Sequence, residues 1–137
     1  MKKIIIIVGL PGSGKTTLIE NMKELGDLLL DDISRRKTPF EDLVAAIHDP
    51  NAKRIIVSDP LFCHRGNQID IHDQLKTYPV HLDWIFFEND PQQCLINVQH
   101  RNDGRDVNGF IYEVSGVYFI PENSHVIPVF TADKPTS

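Results

Sequence analysis

The sequence is poor in the features that mark several protein classes, and each shortage removes one. Only two cysteines occur, Cys63 and Cys94, without C-x-x-C spacing. Neither a disulfide framework nor a thiolate metal site is expected, and both thiols read as reduced bystanders. Six histidines are scattered without H-x-x-x-H or Cys/His ligand spacing, which argues against zinc. No apolar run approaches the ~20 residues that cross a bilayer, and the run at 4–8 lacks a small-residue cleavage site. A cytoplasmic protein with no membrane partner is therefore expected. Basic charge is in deficit, and the net charge of −5 argues against holding long nucleic acid with the whole surface. Repeats and low-complexity tracts are missing as well. With 137 residues there is room for one core, so a single domain over 1–130 is expected, followed by a tail at 131–137.

What is present is concentrated at the start. An apolar strand, Ile4-Ile5-Ile6-Ile7-Val8, runs into Gly9-Leu10-Pro11-Gly12-Ser13-Gly14-Lys15-Thr16-Thr17, a complete G-x-x-x-x-G-K-[ST] phosphate loop between a strand and a helix. Glycines at Gly9, Gly12 and Gly14 keep side chains away, so backbone N–H groups from about Gly12 to Thr16, Ser13 among them, can wrap a nucleotide phosphate. Lys15 adds a point charge, and the helix beginning there presents unsatisfied N–H groups to the same phosphates. The Thr16 hydroxyl is placed to ligate Mg2+, with Thr17 completing the motif. No guanine-specific motif is visible, so ATP is the expected nucleotide.

Strands and helices then alternate. The first helix is expected from Lys15 to about Leu25, with Leu18, Ile19, Met22 and Leu25 on its apolar face and Gly26 as its stop. Leu28-Leu29-Leu30 reads as a buried strand delivering Asp31-Asp32 to its carboxyl end. Thr38-Pro39-Phe40-Glu41 has the pattern of a capping box opening a helix that buries Phe40, Leu43, Val44 and Ile47 and stops near Asp49-Pro50. Ile55-Ile56-Val57 is a third strand ending at Ser58-Asp59-Pro60. A polar helix is expected from Gly66-Asn67 through Lys76, with Ile69, Leu75 and His72 turned inward. Val80 to Phe87 is a fourth strand, and Asn89-Asp90-Pro91 caps a helix to about Arg101. Val126 to Phe130, interrupted by Pro128, is a short or edge strand. The pattern predicts the α/β class, a P-loop NTPase fold with a five-stranded, mostly parallel sheet and helices on both faces.

In such sheets ligands bind at the carboxyl ends of the strands, so the phosphate loop, Asp31-Asp32 and Ser58-Asp59 should meet in one cleft. Phosphoryl transfer needs neutralised donor phosphates, a positioned acceptor and a carboxylate to take the acceptor's proton. Lys15 and Mg2+ on Thr16 serve the first need. Asp31 or, failing it, Asp32 serves the last. Asp59 occupies a Walker-B-type position, where it would hold the Mg2+ water shell or bind substrate. Arg101 and Arg105, four apart, could fold over the phosphates as a lid hinged at Gly104 and Gly109, so Arg101 to Phe110 is expected to order on ligand binding.

These residues carry a resemblance. The first seventeen positions, Asp31-Asp32, Ile56-Val57-Ser58-Asp59 and Arg101-Asn102 ahead of Gly104-Arg105 resemble the kinase domain of the phage-type polynucleotide kinases, members of the small P-loop kinases. The resemblance implies a general base at Asp31 acting on a 5′-hydroxyl, substrate contact at Asp59, and phosphoryl stabilisation by Arg101 or Arg105. Where that family places a phosphate-gripping arginine three residues after the catalytic aspartate, this chain has Ser34, with Arg35 next. The implied partner is an acceptor that is a small molecule or a nucleic-acid end, with bases stacked on Phe62 or Tyr112. A kinase of a non-nucleotide metabolite and a regulatory NTPase are the alternatives.

Overall fold

The structure is a computed structural model describing residues 1–101 and 107–131. Its frame is a five-stranded sheet in the order β2-β3-β1-β4-β5, formed by β1 (Lys2–Val8), β2 (Asp27–Asp31), β3 (Arg54–Ser58), β4 (Val80–Phe87) and β5 (Val126–Ile127). Every described pairing is parallel. β1 lies at the centre because both its faces are apolar. Ile4, Ile6 and Val8 point into one cluster, Ile5 and Ile7 into the other, and all five are buried. β5 is the short edge strand that Pro128 predicts.

Helices cover both faces, unequally. α1 (Lys15–Met22) packs Ile19, Leu18 and Met22 on the Ile5/Ile7 face. The opposite face takes side chains from α2 (Pro39–His48), α3 (Arg65–Leu75), α4 (Pro91–Arg101) and α5 (Asn108–Val117).

Several local expectations are corrected. α1 stops at Met22, and Leu25 is 97% exposed rather than buried. The Asp27 carboxylate accepts the Glu24 N–H at 2.8 Å, drawing the chain out of the helix, and Gly26 (φ 95°) makes the turn into β2. The Thr38/Glu41 capping box does not form. Thr38 Oγ1 instead donates to Asp42 at 3.2 Å, although Pro39 does open the helix. In α3 the inward row is Gln68, Ile71 and Leu75, while Ile69 and His72 are exposed. Gln68 claims the inner position because its amide donates to Phe62 O and Phe119 O. The Asp90 cap and Pro91 start of α4 are as expected, with Asp90 Oδ1 accepting the Gln93 N–H. α5 has no counterpart in the sequence reading. Gly109, Gly116 and its β-branched residues are weak helix formers, and the burial of Ile111 and Val114 overrides them.

Two basic residues tie the lower edge of the sheet. Lys2 Nζ donates to the carbonyls of Ala46, Ile47 and Asp49, satisfying the C-terminal end of α2. Arg54 grips Asp27 through two bonds, Nε to Oδ1 at 2.9 Å and a terminal nitrogen to Oδ2 at 2.6 Å. This guanidinium holds the Asp27 carboxyl below its ordinary value. A depressed carboxyl contributes stability that is present above the unfolded value near 3.8 and disappears as pH falls through the folded one. Urea denaturation should therefore show wild type losing its advantage over Asp27→Asn as pH drops below 4, with a difference of about 2 kcal/mol at neutral pH.

Candidate functional site

The phosphate loop connects the end of β1 to α1, and its shape depends on two left-handed residues. Gly12 has φ 85° and Gly14 has φ 110°. A Cβ on Gly12 would lie 2.5 Å from Cys94 O, and one on Gly14 would lie 2.5 Å from Phe130 Cβ. Glycine is thus required at both positions by torsion and by space. Gly14 is the N-cap of α1 and provides no side-chain acceptor, which leaves the first-turn N–H groups for a ligand. Lys15 Nζ folds back across the loop, donating to Gly9 O at 2.9 Å and Leu10 O at 3.0 Å. Burial lowers its pKa from the usual lysine value. Exchange of these carbonyls for phosphate oxygens would restore a full counter-charge to it.

A cleft of about 720 Å³ opens over the loop, and the strand order gives it two sides. On the β2 side stand Asp31, Asp32, Arg35 and Pro60; on the β5 side stand Phe130, His100 and Arg101. Thr16 and Thr17, at the start of α1, lie between them. Asp31 continues the β2 row that begins at Leu29 on the α1 face, and it lines the same cleft as Thr16. Burial, then the neighbouring charge of Asp32, pushes the Asp31 carboxyl above its ordinary value. Asp31 Oδ1 accepts the N–H of Asp32, which sits in the left-handed region at φ 49° and starts a 3-10 turn over Ile33–Arg35. That turn brings the Arg35 side chain to the cleft.

Asp59, expected from sequence to hold the Mg2+ water shell or bind substrate, is 3% exposed and is not among the residues lining the cleft. Its Oδ1 accepts the Leu61 N–H at 2.7 Å and its Oδ2 the Ser34 N–H at 2.8 Å. The carboxylate is a brace between the turn after β3 and the turn after β2. Strand alternation instead turns Ser58 toward α1, two residues on from Ile56. Ser58 is fully buried, is in register with Ile7 and Asp31, and its hydroxyl has no hydrogen-bond partner. The period-two pattern of β3 was the signal that could have singled it out.

Arg101, the last residue of α4, reaches the cleft. Arg105 and Gly104 lie outside the described residues, as does the tail from 132, so of the segment expected to act as a lid the structure describes Arg101 and residues 107–110, the last three within α5. Neither proposed stacking residue serves the cleft. Phe62 is buried with its ring edge-on to Trp84, and Tyr112, exposed on α5, is not among the residues lining the cleft. Phe130 and Asn97, which the sequence reading passed over, do line it. The cysteines are free and buried, both thiols pushed up to about 12 by desolvation, so they are poor nucleophiles. Among the described residues no group of three or more His, Cys, Asp or Glu side chains gathers around a metal position, and no helix is long and apolar enough to cross a membrane.

No protein-family model matches the chain. A gluconokinase from Sinorhizobium meliloti 1021 is similar in structure, with a TM-score of 0.66 over 94% of this chain and 83% of that one, at 13% sequence identity. At that identity the likeness speaks for the fold alone, a parallel α/β sheet with its phosphate loop after the central strand. It does not bear on the resemblance to phage-type polynucleotide kinases. "Uncharacterized protein R277" of Acanthamoeba polyphaga mimivirus is 33% identical over 115 residues, a match covering 76% of each chain. The chain, with this α/β fold and phosphate loop, therefore belongs to the same family as that mimivirus protein.

Proposed function

We propose that the protein is an ATP-dependent phosphotransferase that moves the γ-phosphate to an alcohol. The observation that carries this reading is Asp31, a carboxylate with a raised pKa on the same cleft as an intact phosphate loop. A carboxylate so placed can take the proton of a hydroxyl held in the cleft beside the loop. Lys15 and the loop amides would hold the β- and γ-phosphates, and Arg101 would approach the transferring group from the other side. Asp31 would orient the acceptor hydroxyl and take its proton. Asp32 raises the basicity of Asp31, and Arg35 contacts the acceptor body.

The residues suit Mg2+ carried in with the nucleotide. Such an ion keeps most of its waters and needs one or two protein oxygens beside the phosphates, so a preformed cluster is unnecessary. Thr16 would supply the direct ligand. Ser58, whose buried orphan hydroxyl lies in register with Asp31, would hold a water of the ion's shell. Once bound, the ion neutralises charge developing between the β- and γ-phosphates.

For the acceptor, a small polyhydroxylated molecule is the preferred reading. Two carboxylates dominate the acceptor half, the expected base-stacking ring of Phe62 is buried, and the structural neighbour is a gluconokinase. A nucleoside or nucleic-acid 5′-hydroxyl is the second reading, favoured by the exposed ring of Phe110 at the cleft and by Arg35. Transfer from γ-labelled ATP to a panel of sugars, sugar acids, nucleosides and 5′-hydroxyl oligonucleotides separates the two. Label confined to the first two groups supports the preferred reading; label confined to the last two establishes the second.

Asp31→Asn should lower turnover by about 10²- to 10⁴-fold with ATP affinity retained. A carboxyl raised by folding costs stability when ionised, so the same substitution should leave the melting temperature unchanged or higher at pH 7. Because the ionised form is the base, kcat/KM should rise with pH through the raised pKa. Asp32→Asn should move that acid limb to lower pH, since it removes the neighbouring charge while asparagine tolerates the left-handed backbone. Ser58→Ala should stabilise the free protein by about 1 kcal/mol, as an unsatisfied hydroxyl is lost. It should also weaken calorimetric ATP binding in Mg2+ while leaving binding in EDTA unchanged.

A further inference from the structure

One buried side chain links three parts of the cleft that lie far apart in sequence. Asn97, 7% exposed on α4, donates its amide hydrogens to Gly12 O at 2.8 Å and to Phe130 O at 2.6 Å. Its Oδ1 accepts from Gln93 Nε2 at 3.0 Å, which fixes the orientation of the amide. Phe130 is pinned again by its own N–H, which donates to Ser13 O at 2.9 Å, and its Cβ lies against Gly14. Arg101 follows Asn97 by four residues, one helical turn along the same face of α4.

The strand order decides what the far side of the loop receives. Asp31 ends β2 on one side of β1, so the γ-phosphate of a bound nucleotide must point that way; its base then lies on the β5 side, where the Phe130 ring stands 46% exposed. Resting on the kinase reading above, we infer that Asn97 is a positioning residue. Its two hydrogen bonds make the phosphate loop, the aromatic wall for the nucleobase and the helix carrying Arg101 one body. Phosphate grip and base contact are thereby set by the same amide, and recognition of the base is by stacking on Phe130.

The test compares Mg-ATP with Mg-tripolyphosphate, which engages the loop and has no base. Calorimetry on the full chain gives the affinity ratio of the two ligands for wild type, Asn97→Asp and Phe130→Ala. Asn97→Asp keeps the shape and replaces both donors by an acceptor facing two carbonyls. Phe130→Ala changes an exposed ring and spares the fold if the first variant proves unstable. The expected result is that each variant lowers the ATP preference by about tenfold, and that the double variant loses no more than either single one, since they act on one contact. A wild-type ratio in a folded Asn97→Asp, or in Phe130→Ala, would overturn the inference. Wild type that binds neither ligand would instead overturn the kinase reading itself.

Discussion

The structure depends on the packing of a left-handed backbone, at Gly12 and Gly14, against atoms that leave no space for a side chain. A phosphate loop must point its N–H groups inward, so its outer surface and its carbonyls have to be satisfied by the rest of the fold. α4 does so from below, through Cys94, Val98 and Asn97, and the segment after β5 does so from the side, through Phe130. The central position of β1 follows from the same constraint. Its buried isoleucines hold the strand from both faces, and the loop inherits that rigidity.

The β2 side of the cleft is braced by different means. Asp59 uses its carboxylate on two backbone amides, and this fixes the turn that carries Asp32 and Arg35 relative to the end of β3. Asp31 is left with a single weak internal partner and a raised pKa, the condition of a group kept for a proton. Neighbouring acids thus divide the work, one ordering the backbone and one facing the cleft. Ser58 and Ser13 retain buried hydroxyls without partners, which a fold selected for stability alone would have removed.

Much of this was legible in the sequence because the signals were strong and local. The apolar strand, the glycine spacing and the Asp90-Pro91 cap each specify one conformation, and the alternation of strands and helices specifies the sheet. What was illegible depended on tertiary competition. Gln68 took the inward position that Ile69 suggests because two carbonyls outside the helix, Phe62 O and the distant Phe119 O, needed its amide, and α5 forms despite two glycines because Ile111 and Val114 complete the core. The roles of Asp59 and Ser58 turned on which face of β3 each one meets, and Asn97 was silent because its partners lie 85 and 33 residues away.

The central claim is that the cleft joins a donor half to a separate acceptor half. Phosphorus NMR of the protein with Mg-ATP, recorded with and without a hydroxylated acceptor, tests it most directly. The account predicts that ATP is nearly stable alone, and that the acceptor triggers ADP formation matched one to one by a new phosphate-ester resonance. Inorganic phosphate as the sole product, formed at one rate whatever acceptor is added, would contradict it.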